Sequence, residues 1–256
     1  MKRKRSSSML LTPPLSNSDA DSERILSRAV NVLSTAATAL SQVTLIYQND
    51  PIARDGLLQA VESITQVHEE RGKLVICGVG KSGLVAKKLV ATMKSLGLAS
   101  SFLHPSEALH GDLGDLRPHD AILFISYSGK TPELLQVLDH VPETIPILAI
   151  TAHMRPADCP LLRDRPDSIL LPAPIHEPEE TTFGVSAPTT STTVAIAVGD
   201  MLALMLADSI HEENTKLVFQ KNHPGGAIGA KARRSATVDD DEKADSKRHK
   251  SLPSPS

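Results

Sequence analysis

At 256 residues the chain is long enough for one large α/β domain with a proper core, or for two small ones. Aromatic residues make up 2% and tryptophan is absent, which leaves an aliphatic core and argues against a base-stacking surface for single-stranded nucleic acid. The net charge of −3 is unevenly spread, with +3 on residues 1–20, +2 on residues 231–256 and −8 between them. An acidic middle is a poor binder of polyanions, so no nucleic-acid partner is expected.

Residues 1–20 are rich in Ser, Pro and charge and read as a disordered basic tail. Lys2–Arg5 also fit a nuclear address, but a solvated end is the plainer reading, and a cytoplasmic location is expected. The start "MKRKRSSSMLLTPPL" lacks an apolar stretch long enough for a secretory signal, and no run of 18 apolar residues follows; no membrane partner is expected. From Ser22 onward, Ile25, Ala29, Val32, Leu33, Ala36 and Leu40 recur at helical spacing. A second helix is predicted over 53–69, with Leu57, Leu58, Val61 and Ile64 on one face.

Beyond these helices the pattern alternates: strand 73–77, helix 82–96, strands 100–103 and 121–125, helix 132–140, strands 146–150 and 168–171, helix 188–208. Short strands alternating with helices predict an α/β fold with a parallel sheet covered on both faces. One domain is expected over 21–230, followed by a charged disordered tail over 231–256. The cysteines, Cys77 and Cys159, form no C-x-x-C and suggest a reduced, intracellular protein; Cys77, in an apolar strand, reads as core.

"GVGKSG" at 78–83 follows the first strand and admits three readings. A nucleotide P-loop needs a glycine five positions before Gly80, where Val75 stands inside the strand, so that reading fails. Gly78, Gly80 and Gly83 match G-x-G-x-x-G, but the acid that would hold a ribose hydroxyl at the end of the next strand is replaced by His104. The third reading comes from "SYSGKTPE", which runs from a strand into a helix with Thr131 as candidate N-cap, Pro132 and then Glu133. The hydroxyls of Ser126, Ser128 and Thr131, with the free N–H groups of that helix start, suit a dianionic phosphate. "SAPTTSTT" adds a third hydroxyl cluster before the last long helix. In a parallel sheet such turns gather at the carboxyl edge, where these folds bind ligands. An ordinary capped helix is the competing reading of each cluster taken alone.

"GVGKSG", "HPSEALHGDLG", "ISYSGKTPE", "APTTSTT" and "NHPGGAIG", in this order, resemble the sugar isomerase (SIS) domain, and within it the arabinose-5-phosphate isomerase branch. The resemblance covers roughly residues 25–230. It implies a three-layer sandwich with a five-stranded parallel sheet flanked by helices, assembled as a homodimer or homotetramer. It implies a phosphosugar aldose–ketose isomerase working through an enediol; that chemistry needs no metal, and neither a cofactor nor a metal is expected. By the same resemblance Ser82, Ser126, Ser128 and Thr131 hold the substrate phosphate, and Lys81, His110, Glu133, Glu180 and His223 occupy the active-site positions.

A carboxylate can shuttle the proton between neighbouring carbons, and a histidine can serve the ring oxygen as acid and base. A lysine stabilises developing enediolate charge. Glu180 is therefore the expected carbon base and His223 the ring-opening acid/base, with Glu133 as rival base. Glu177 or Glu179 could take the place of Glu180 in space. Lys81 and His110 would position and polarise. His223, after the last long helix, could reach a neighbouring subunit. A metal held by His104, His110 and His223 is conceivable, but no tight ligand spacing supports it. Two departures stand out. Bacterial relatives often add a pair of CBS domains after "HPGG", whereas about 27 residues follow Gly229 here, too few for either module. "EETTFGVSAP" also differs from the family's version of that segment, so the sugar could differ too. A non-catalytic phosphosugar sensor, or an isomerase of another sugar phosphate, stays open.

Overall fold

The computed structural model describes residues 17–225. Lys2–Arg5, most of the tail expected over 1–20, and the tail expected over 231–256 lie outside the described residues. The first helix starts earlier than expected, running over Asn17–Asn49 (α1). Asp50 then caps α2 (Pro51–Glu69), accepting a hydrogen bond from the Ala53 N–H at 3.0 Å, with Pro51 in the first turn where its missing donor costs nothing. Ala53, Gly56, Ala60, Ile64 and Val67 make the buried stripe of α2. Gly56 lets the helix lie directly on the sheet: a Cβ there would come within 2.2 Å of the Leu170 carbonyl oxygen.

Five strands follow, β1 (Leu74–Cys77), β2 (Ser100–Leu103), β3 (Ala121–Ile125), β4 (Ile147–Thr151) and β5 (Ile169–Pro172). They form one parallel sheet in the order β2-β1-β3-β4-β5. Every residue of β1, β3, β4 and β5 is buried, as a sheet covered on both faces requires. Alternation divides them between two cores. Leu74, Ile76, Leu123 and Ile125 face the layer built by α1, α2, α3 (Gly80–Ser95) and α7 (Thr190–His211). Val75, Cys77, Ile122 and Phe124 face the other layer, with α4 (Pro105–Ala108) and α5 (Pro132–Leu138). Burial pushes the Cys77 thiol up to about 12, in keeping with a packing role.

Strand limits fall within one residue of expectation. Three short helices were not expected: α4, α6 (Glu179–Phe183) and α8 (Thr215–Asn222). Each is too short for an apolar stripe to repeat. At the amino edge of the sheet the Lys73 ammonium and Asp120 carboxylate pair at 2.6 Å, tying the start of β1 to the start of β3. Asp120 also accepts from the backbone N–H groups of Lys73 and Arg117, both at 2.9 Å.

Taken as whole helices rather than unbroken apolar runs, α1 and the Thr190–Asn222 stretch are long and apolar enough to cross a membrane. In α7 the apolar residues serve the core, where Val194, Leu202, Ala203 and Leu206 are fully buried. In α1 only the second half is anchored, through Ala39 and Val43; Ile25, Leu26, Val30 and Leu33 are exposed.

Candidate active site

The order β2-β1-β3 reverses direction at β1, and the turns leaving β1 and β3 flank the crevice that such a reversal opens at the carboxyl edge. The β1–α3 turn carries Gly78 to Gly83. A Cβ on Gly83 would stand 2.8 Å from the Gly78 carbonyl oxygen, and Gly80 has φ +58°, so the glycine spacing reflects a tight backbone turn. This turn delivers Lys81 and Ser82 to a cavity of about 480 Å³, a size suited to a small molecule. Val85, Ile125, Ile150 and Ala195 form its aliphatic floor, and Tyr127, Glu179, Glu180, Ser186, Ser191 and Thr192 contribute to its wall.

The β3–α5 turn is cross-linked by its own polar groups. The Ser126 and Thr131 hydroxyls lie 2.8 Å apart, and Ser126 Oγ accepts from the Gly129 N–H at 3.1 Å. Ser128 Oγ accepts from the Lys130 N–H at 3.2 Å, and the Ser128 carbonyl is bonded to His153 Nε2 at 2.9 Å. Thr131 stands at the N-cap position of α5, but its hydroxyl makes no bond to the helix; it turns to Ser126 instead, correcting the expected cap. Gly129, at φ +60°, packs on Cys159 and His153, where a Cβ would meet the sulfur at 2.7 Å. Between the two serines, Tyr127 lines the cavity. Burial first, and then the Glu179 carboxylate, raise its phenol pKa against a smaller opposing hydrogen bond from the Ile175 backbone.

The acidic segment before α7 places three carboxylates differently. Glu177 accepts from the Thr182 hydroxyl at 2.8 Å, and Glu180 from the Ser186 hydroxyl at 2.8 Å. Glu179 turns to the amino end of α7. Its Oε1 accepts from the Thr189 N–H at 2.6 Å, the Ser191 N–H and hydroxyl at 3.0 Å each, and the Thr189 hydroxyl at 3.2 Å. Partial burial pushes the Glu179 carboxyl up, but the Ser191 and Thr189 backbone donors, and then their hydroxyls, outweigh it and hold it below the ordinary glutamate value. Two hydroxyls of "APTTSTT" are therefore already engaged by Glu179.

The expected residues divide into two groups. Lys81, Ser82 and Glu180 share the cavity, and Ser126, Ser128 and Thr131 form the turn beside it. Glu133 lies in the first turn of α5, next to that turn but outside the cavity lining. His110 is exposed just after α4, on the α5 side of the sheet. His223 ends α8, its Nδ1 bonded to the Phe219 carbonyl at 2.7 Å and its ring stacked on Phe219. Asn222 beside it donates to the Lys94 and Ser95 carbonyls at the far end of α3, so His223 lies toward the amino edge of the sheet, away from the cavity. His104 accepts from the Ser106 N–H, and among the described residues no three His, Cys, Asp or Glu side chains gather as a metal site needs. Sequence reasoning missed Tyr127 and His153. Tyr127 could have been flagged as the residue between Ser126 and Ser128; nothing local marks His153.

Residues 67–205 match the SIS domain family. The Escherichia coli arabinose 5-phosphate isomerase KpsF is 38% identical over 161 residues, 62% of this chain and 46% of KpsF. The chain spans about half the length of the curated relatives it matches. Among solved structures, a Bacteroides fragilis protein proposed to be a phosphosugar isomerase involved in capsule formation is 35% identical, with a TM-score of 0.65 over 79% of this chain and 98% of that one. The E. coli CFT073 protein c3406, solved in complex with arabinose 5-phosphate, is 27% identical, with a TM-score of 0.61 over 79% of this chain and 98% of its own.

Proposed function

Because the chain belongs to the SIS domain family, we propose that it is an aldose–ketose isomerase of a phosphosugar of the arabinose 5-phosphate type. The observation that carries this reading is the meeting of Lys81, Ser82 and Glu180 in one cavity beside the Ser126–Thr131 turn. The name of KpsF and the arabinose 5-phosphate bound by c3406 support the sugar class. The phosphate sits on the hydroxyls of Ser82, Ser126, Ser128 and Thr131 and on the N–H groups of their turns, as strand-to-helix turns hold anions. Glu180 takes the proton from C2 of the open-chain aldose. The enediolate that results passes its O2 proton to O1, and Glu180 returns the carbon proton to C1, which leaves the ketose and restores the carboxylate. Lys81 stabilises the enediolate oxygens.

Ring opening needs a further acid/base group, and His223 fills that role from a second copy of the chain. Two features support this arrangement: His223 is remote from the cavity of its own chain, and α1 exposes an apolar stretch suited to a partner. Glu133, beside the phosphate turn, is the rival proton carrier. Assay of the purified protein against pentose, hexose and heptose phosphates tests the reading. Interconversion of at least one aldose–ketose pair is expected. Tight binding without turnover of any pair would overturn it in favour of a phosphosugar sensor.

A further inference from the structure

The amino end of α7 looks into the cavity through Ser191 and Thr192, and it is the kind of place that attracts an anion. It already holds one. A single oxygen of Glu179 lies within hydrogen-bond distance of four donors from Thr189 and Ser191. The segment that carries Glu179 has little else to hold it. α6 buries no residue, and it ends at Gly184 in the left-handed conformation. The Glu177–Thr182 and Glu180–Ser186 bonds close within the same segment and tie it to nothing outside. Glu180 is the next residue along and faces the cavity.

From this geometry we propose that Glu179 is a positioning residue, whose carboxylate clamps α6 to the amino end of α7 and so holds Glu180 at its working place in the cavity. The inference rests on the reading of Glu180 as proton carrier.

The test uses the full chain and two variants. Glu179→Ala empties the four-donor place, and formate is the probe that refills it. Amide hydrogen exchange over residues 179–186 should speed by at least ~10-fold in Glu179→Ala and slow again, saturably, with formate, while the wild type does not respond. For a phosphosugar that the wild type converts, kcat should fall about 10- to 100-fold with KM much less changed, and formate should restore it over the same concentration range. Glu179→Gln keeps an acceptor oxygen and should retain most of the turnover. Unchanged exchange in Glu179→Ala overturns the clamp whatever the activity. Faster exchange with unchanged kcat overturns the positioning role. A lost kcat that formate cannot restore, with Glu179→Gln equally inactive, also overturns it. A wild type that converts no sugar refutes the isomerase reading, and the exchange measurement still decides the clamp.

Discussion

The hydroxyls of Ser126 and Thr131 stand 2.8 Å apart, with the Gly129 N–H donating to Ser126 at 3.1 Å. These polar groups satisfy one another, so the turn is already shaped; on the function proposed above, a bound phosphate takes over its donors. A hydrogen bond to a charged group contributes about 1.5–3 kcal/mol, or roughly 10- to 100-fold in binding. Ser126→Ala or Thr131→Val is therefore expected to raise KM for the phosphosugar by that factor, with kcat much less affected. Steady-state kinetics check this; a fall in kcat at constant KM would remove the turn from phosphate binding.

Glu180→Gln keeps the size of the side chain and its contact with Ser186 but cannot carry a proton. Removal of a general base at carbon costs about 10²–10⁴-fold in kcat. Calorimetry should still detect phosphosugar binding, and exchange of solvent deuterium into the sugar should disappear with turnover. Turnover within a few-fold of the wild type would pass the role to Glu133.

The contrast between these two sites explains what the sequence discloses. Strands β1 and β3 are legible because every residue in them is apolar, and the turns after them because glycines and hydroxyls must stand at fixed offsets there. Ser126, Ser128 and Thr131 are singled out that way, whereas Lys81 and Ser82 come from the resemblance of "GVGKSG" to the SIS domain. The division of labour between Glu179 and Glu180 is not legible, since adjacent carboxylates in an exposed acidic segment look alike until α7 supplies donors to one of them. His153 reaches the Ser128 carbonyl from 25 positions away, a pairing that depends on β3 and β4 being neighbours. The placement of His223 depends on how α8 folds back along α3, which eight residues of weak periodicity do not announce.

Stability should depend on Asp120, which is 2% exposed and receives the Lys73 ammonium and two backbone N–H groups. Asp120→Ala leaves those donors without their acceptor at the start of two central strands. Breaking a buried pair from one side costs about 3–5 kcal/mol, and the partial exposure of Lys73 puts the expected loss near the lower figure. Urea denaturation should show a lower midpoint at unchanged slope. A loss under about 1 kcal/mol would mean that water replaces the carboxylate freely.

The lowered pKa of Glu179 gives its clamp a pH signature. The folded state binds this proton less readily than the unfolded chain, so the carboxylate's stabilisation is complete above the unfolded value of about 4.3 and is lost as pH falls through the lowered folded value. Glu179→Gln is neutral throughout. The Tm gap between wild type and Glu179→Gln is thus expected to be widest near neutrality and to close in acid. Tyr127, Glu180 and the hydroxyls of Thr189 and Ser191 face the same place, and Glu180→Gln serves as the control. A Tm gap that stays constant from neutral to acid pH would exclude an ionised Glu179 as its source.

The separation of His223 from its own cavity makes the shared site testable by mixing. His223→Ala and Glu180→Gln should each abolish most turnover as pure proteins, because every site then lacks one member. In a randomly mixed dimer from equal amounts of the two, half the molecules are hybrids, and each hybrid has one site with both residues intact. Turnover should therefore recover to about a quarter of the wild-type value. If His223 served the cavity of its own chain, each hybrid site would carry one defect and nothing would be regained. Recovery no greater than the sum of the two parents would thus rule out a histidine donated between subunits.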